Sequence, residues 1–195
     1  SSEYGFKSKP MKETDILEPT SYYAATKASA TLLCRVFAQG FNKPIVTLRP
    51  FSVYGPYEEP SRFIPTIMKA LISQQPVSLT PGVERRDFVY IDDVVEAYIK
   101  LWKHAAKLHG EVFNIGTGKQ YTNDEVVQTL FNATKKKTRI VKGAFPARSW
   151  DTSHWVADIS RAKRLLGWRP QYTLAAGLTK TYEWFSAHKR LYGIT

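Results

Sequence analysis

Cysteine is nearly missing from this sequence: Cys34 is the one thiol in 195 residues. A single Cys excludes a disulfide within the chain and fits a reducing compartment. Long apolar runs are missing as well, none approaching the ~20 residues of a helical membrane span, so no membrane partner and a cytoplasmic setting are expected. The four histidines have no partners at metal-ligand spacing, and no metal is proposed. Acidic side chains are scarce beside basic ones, 17 Asp and Glu against 28 Lys and Arg, a formal net charge of +11. That excess calls for an anionic partner, either nucleic acid or a phosphorylated small molecule. The dense basic cluster "TKKKTR" (Thr134 to Arg139) carries no interleaved aromatics and reads as solvated charge. The other basic residues are scattered, some within apolar segments, which suits a diphosphate clamp better than a nucleic-acid groove.

What is present is 43% hydrophobic content, enough for one substantial core or two small ones. "SYYAATKASATLLCRVFAQG" reads as a helix capped by Ser21 and stopped by Gly40. "KPIVTLRPF" reads as a buried strand that empties into the loop "SVYGPYEEP". Further helices are expected at "RFIPTIMKALIS", "DDVVEAYIKLWKHA", "TNDEVVQTLFNAT", "DISRAKRLLG" and "TLAAGLTKTYEWFSAHK". Strands are expected at "VSLT", "RDFVYI", "VFNIG", "TRIVKG" and "HWVAD". Strands and helices alternate, so the fold class is α/β. Trp168 and Trp184 are read as core aromatics.

"YAATK" places Tyr23 and Lys27 four apart on a helix, so their side chains leave the same face. An ammonium beside a phenol favours the phenolate, which suits general acid/base work. The spacing alone is common, and a surface cation beside a half-buried Tyr explains it equally well.

Context decides between these. "SSEYG", "PTSYYAATKAS", "LRPFSVYGPYE", "RRDFVYIDDVVEAY", "VFNIGTGKQYT" and "ADISRAKRLLGWRPQYTLAAGL" follow one another in this order. Together they resemble the extended short-chain dehydrogenase/reductase family, of the nucleotide-sugar epimerase and dehydratase type. The resemblance is to that family's C-terminal portion, because the sequence contains no G-x-x-G-x-x-G. It implies part of a Rossmann-like doubly wound parallel sheet plus a small α/β substrate-binding domain. Residues 1–56 would complete the dinucleotide-binding domain and 57–195 would be mainly the substrate domain, with 92–118 returning to the Rossmann-like sheet. The strands flanking "KPIVTLRPF" and "VFNIG" are expected from an upstream segment or a partner chain, and residues 1–195 alone are expected to be inactive and not an independently stable, cofactor-binding unit.

The same resemblance implies roles. Tyr23 would be the acid/base, and Lys27 would hold the nicotinamide ribose and favour the Tyr23 phenolate. The catalytic hydroxyl has two open registers: the residue before Ser1, or Ser1 itself with Ser2 and Glu3 beside it. Glu3 would be an acid for dehydration or a solvated loop carboxylate. Pro50 and Phe51 would line the nicotinamide, and Ser52 would face the substrate where many relatives carry Asn. Arg86 would clamp the diphosphate, or else pair with Asp87 or Asp92. Arg62 would reach the nucleotide, and Arg148 and Asp151 would sit near its ribose and phosphates. The implied cofactor is NAD or NADP, and the implied partner a nucleotide-diphosphate sugar, bound by a homodimer. An NADPH-dependent keto-sugar reductase and an inactive binding member of the family are the alternatives.

Overall fold

The computed structural model of the chain describes residues 1–80, 84–143 and 152–194. Helix α1 spans Tyr22–Gly40. It starts where Ser21 Oγ accepts a hydrogen bond from the Ala24 amide at 3.1 Å, as N-cap chemistry requires. It buries Ala24, Ala28, Thr31 and Ala38, small residues at helical spacing that let it lie close to its neighbours. Its larger apolar residues, Leu32, Leu33, Val36 and Phe37, stay exposed.

Two parallel strand pairs position the rest. Strand β1 (Thr47–Pro50) pairs with β6 (Val112–Ile115). The chain then changes partner within one residue. The Phe51 amide donates to Ile115 O, and the Ser52 amide donates to Asp87 O. Strand β2 (Ser52–Tyr54) therefore continues alongside β5 (Phe88–Tyr90). A third parallel pair joins β3 (Val77–Leu79) to β8 (Ile140–Lys142). The dipeptides β4 (Arg85–Arg86) and β7 (Tyr121–Thr122) are antiparallel.

The other helices are α2 (Phe63–Ile72), α3 (Ile91–His104), α4 (Asn123–Thr134), α5 (Ser160–Leu166) and α6 (Leu174–Ala187). A capping box between Thr122 and Glu125 opens α4. Asp93 does more than sit at a helix N-terminus. It accepts the amides of Gln171 at 2.7 Å and Tyr172 at 3.2 Å, tying α3 to the segment that enters α6.

Two cores form. One gathers Tyr4, Met11, Phe51, Phe113, Ile115 and Trp168, and the other Tyr54, Ile64, Leu71, Leu130, Leu178 and Phe185. Residues 157, 159, 162, 166 and 168 pack in the first core, although they lie far along the stretch assigned by sequence mainly to substrate binding. Trp168 is fully buried, whereas Trp184 packs against the second core while partly exposed.

Three expectations change. The start of "SVYGPYEEP", expected as loop, is strand β2, because Ser52–Tyr54 pairs with Phe88–Tyr90. "HWVAD" contributes no strand, only a single bridge from Ala157 to Met11. "KPIVTLRPF" is extended only from Thr47, and the one fully buried residue of β1 is charged, Arg49.

Candidate active site

The N-terminal segment is a short 3-10 turn, Ser2–Tyr4, closed by Gly5 at φ +68°. A side chain at Gly5 would meet the Glu18 carbonyl oxygen, so only glycine makes this turn. The Ser1 nitrogen donates to Pro50 O at 3.2 Å, which seats the segment on the end of β1. Lys27 lies within electrostatic reach of that same nitrogen. On α1 the Lys27 ammonium sits 5.4 Å from the centre of the Tyr23 ring, and Tyr23 is 64% exposed. Tyr23, Lys27, Ser1 and Pro50 thus share one neighbourhood, with the phenol on the surface and outside either core.

Glu3 fits neither sequence expectation as it stands. It is buried, not solvated. Its carboxylate is ion-paired with Arg49 and accepts the Thr31 hydroxyl at 2.8 Å. Arg49 also donates to the Tyr4 hydroxyl at 2.8 Å, and Tyr4 donates to Asn114 Oδ1 at 2.6 Å. This buried network ties the turn, α1, β1 and β6 together.

Two residues beyond Pro50, Ser52 reaches a cleft of about 650 Å³. Arg62 and Arg86 line the same cleft, so three sequence-assigned substrate residues, from three separate segments, converge. Arg86 is held in place from several directions: it donates to Arg85 O at 2.8 Å and lies over the Trp155 ring at 5.5 Å. Asp87 is buried and its carboxylate is occupied elsewhere. It accepts the Thr117 amide at 2.7 Å, the Thr117 hydroxyl at 2.6 Å, the Gly118 amide at 3.0 Å and the Ala157 amide at 3.1 Å. Burial pushes the Asp87 carboxyl up, and these donors oppose the shift. The residue that follows Arg86 in sequence is thereby fixed. Both α2 and α4 begin at the cleft wall, through Phe63 and Asn123, and helix N-termini favour anions. Arg148 and Asp151 lie outside the described residues.

Sequence reasoning missed two cleft carboxylates, Glu58 and Glu84. For Glu84 a signal existed: in "VERRDF" it stands two residues before Arg86, the period that puts neighbours on one face of an extended chain. Glu58 pairs with Arg62 at 3.5 Å. Burial nonetheless raises its carboxyl from 4.5 to about 7, against the opposing charge of Arg62. The folded chain therefore holds this proton more tightly than the unfolded chain does. Stability from this group falls as pH rises from about 4.5 through about 7. Thermal melts across that window are expected to show the decline, and Glu58→Gln to flatten it by a few degrees. An unchanged slope in the variant would show that Glu58 does not titrate this way.

Residues 1–116 match the family model described as "NAD dependent epimerase/dehydratase family". The chain is 34% identical over 193 residues to a Bacillus subtilis protein described as an uncharacterized UDP-glucose epimerase, covering 96% of this chain and 58% of that protein. It is 33% identical to the UDP-glucuronate 4-epimerase of Thermodesulfobacterium geofontis, covering 94% of this chain and 56% of the relative. Among solved structures, UDP-glucuronic acid 4-epimerase from Bacillus cereus, in complex with UDP-glucuronic acid and NAD, superposes with a TM-score of 0.87 at 32% identity. That alignment covers 98% of this chain and 60% of the other. The chain thus spans about three fifths of the length of the proteins it matches.

Proposed function

The chain belongs to the NAD dependent epimerase/dehydratase family, and from that membership we propose that it carries the acid/base helix and sugar-nucleotide cleft of an NAD(P)-dependent nucleotide-sugar epimerase or dehydratase. One observation carries this reading. Lys27 lies near Ser1, Ser1 bonds to Pro50, and two residues on, Ser52 opens the cleft that holds Arg62 and Arg86. Acid/base pair and anion clamp are thus joined by a single strand switch.

The residues near Ser1 fit the nicotinamide end of a dinucleotide. Lys27 is exposed and offers three donors to ribose hydroxyls, and Pro50 and Phe51 supply an apolar wall. When bound, the nicotinamide supplies hydride acceptance and return. Tyr23 takes the proton from the sugar hydroxyl as that carbon is oxidised, and gives it back on reduction. Ser52 positions the sugar, and Arg62 and Arg86 neutralise the two phosphates through planar, bidentate contacts. Arg148 and Asp151 are proposed at the ribose end. A nucleotide-diphosphate sugar is the partner, and UDP-glucuronic acid and UDP-glucose are the sugars to test first. The exposed apolar residues of α1 support a homodimer. Among the described residues no helix is long and apolar enough to cross a membrane, compatible with a cytoplasmic setting.

The test is binding and turnover by the full-length protein with each sugar nucleotide and NAD, followed by product analysis. Arg86→Ala is expected to weaken sugar-nucleotide binding tenfold to a hundredfold, roughly the loss of one or two charge-assisted hydrogen bonds. Unchanged affinity in that variant would rule out the clamp.

A further inference from the structure

The cleft that holds Arg62 and Arg86 also contains a buried carboxylate with no ion pair among the described residues, Glu84. Glu84 is 4% exposed and lines the same wall as Arg86. One of its oxygens is fixed by a relay: Asn123 Nδ2 donates to Thr80 Oγ1 at 3.2 Å, and Thr80 Oγ1 donates to Glu84 Oε2 at 3.0 Å. The other oxygen, Oε1, is buried and has no hydrogen-bond partner among the described residues. Arg85, next in sequence, offers it nothing, since Arg85 pairs with Glu125 at 3.4 Å and does not line the cleft.

A buried acceptor left unpaired is costly, and a buried carboxylate oxygen more so. A phosphate cannot relieve it, because two anions repel. A ligand hydroxyl can. We propose that Glu84 is a specificity-determining residue, whose Oε1 accepts a hydrogen bond from a hydroxyl flanking the ligand's diphosphate. The proposal rests on the cleft being the sugar-nucleotide site. Glu84 and Arg86 stand two residues apart and both line the cleft. A ligand whose phosphate sits on Arg86 therefore brings its adjacent hydroxyls to Glu84. Those hydroxyls belong either to the nucleoside ribose or to the hexose. The Thr80–Asn123 relay occupies Oε2 and leaves Oε1 as the oxygen able to take a further donor.

The experiment is calorimetric titration of the purified protein with UDP, UDP-glucose and inorganic pyrophosphate, comparing wild type with Glu84→Met. The variant is expected to bind a hydroxyl-bearing ligand at least tenfold more weakly. Its affinity for pyrophosphate should be unchanged or tighter, because an anion has been removed beside the clamp. A loss seen already with UDP assigns the hydroxyl to the ribose, and one seen only with UDP-glucose assigns it to the hexose. Equal loss for all three ligands, or no loss for any, would overturn the proposal. Should Glu84→Met fail to fold, Thr80→Val in the relay is the substitute, with the same pattern expected at a smaller factor and the same equal-loss result overturning it. Arg86→Ala serves as the control on the underlying reading. If it leaves pyrophosphate binding intact, the cleft is not the diphosphate site and both ideas fall together.

Discussion

Tyr23→Phe is expected to lower kcat with a sugar-nucleotide substrate by roughly two to four orders of magnitude, the range for a removed general acid/base. The ring stays and only the hydroxyl is lost. Tyr23 is exposed, so its removal leaves no cavity and no unpaired buried group. Sugar-nucleotide affinity should change little, because Arg62, Arg86 and Ser52 lie in a cleft whose lining does not include Tyr23. This split between kcat and binding separates a proton-transferring residue from a structural one. Lys27→Met should lower kcat too, and unlike Tyr23→Phe it should also weaken dinucleotide binding if its ammonium holds the ribose. Full turnover by Tyr23→Phe would remove the phenol from the mechanism and leave Lys27 and Tyr23 as an ordinary surface pair.

The parts of this arrangement that could be read in the sequence were those with local signatures. Helix α1 was legible because the Ser21 cap and the Gly40 stop act within single turns at its two ends. Helix α4 was legible through its "TNDE" box. Arg86 and Ser52 were legible only through resemblance to a family, since nothing in their own neighbourhoods says that they meet across a cleft. What stayed hidden depended on distant partners. The switch at Phe51 from β6 to β5 is set by two hydrogen bonds to segments tens of residues away. Asp93 stands at the start of an expected helix, yet its carboxylate reaches residues 171 and 172. The relay from Asn123 through Thr80 to Glu84 spans α4 and the chain after β3. Arg49 hid most completely, as a charged residue inside what reads as a continuous apolar strand.

That residue carries the largest expected effect on stability. Arg49 and Glu3 have side chains only 5% and 3% exposed. Pairing two charges at such depth contributes little net stability, because desolvation offsets most of their attraction. Removing one partner is another matter. Arg49→Met would leave the Glu3 carboxylate buried, with the Thr31 hydroxyl as its remaining donor among the described residues. It would also strip the Tyr4 hydroxyl of the donor that Arg49 supplies. A broken buried pair costs about 3–5 kcal/mol, which for a chain of this size corresponds to a fall in Tm of roughly 6–20 °C. The double variant Glu3→Gln/Arg49→Met should recover much of that loss, because Gln is neutral and can still accept from Thr31. A calorimetric double-mutant cycle measures the coupling directly. A coupling near zero, with the loss in the double variant equal to the sum of the two single losses, would mean that the pair does not hold the turn to β1. The outcome bears on function as well as stability. The turn that carries Glu3 and Tyr4 also carries Ser1 to Pro50, and through Pro50 it sets the point where the strand switch begins. If the pair anchors that turn, Arg49→Met should lower kcat even at temperatures where the protein remains folded, while the cleft around Arg86 keeps its affinity.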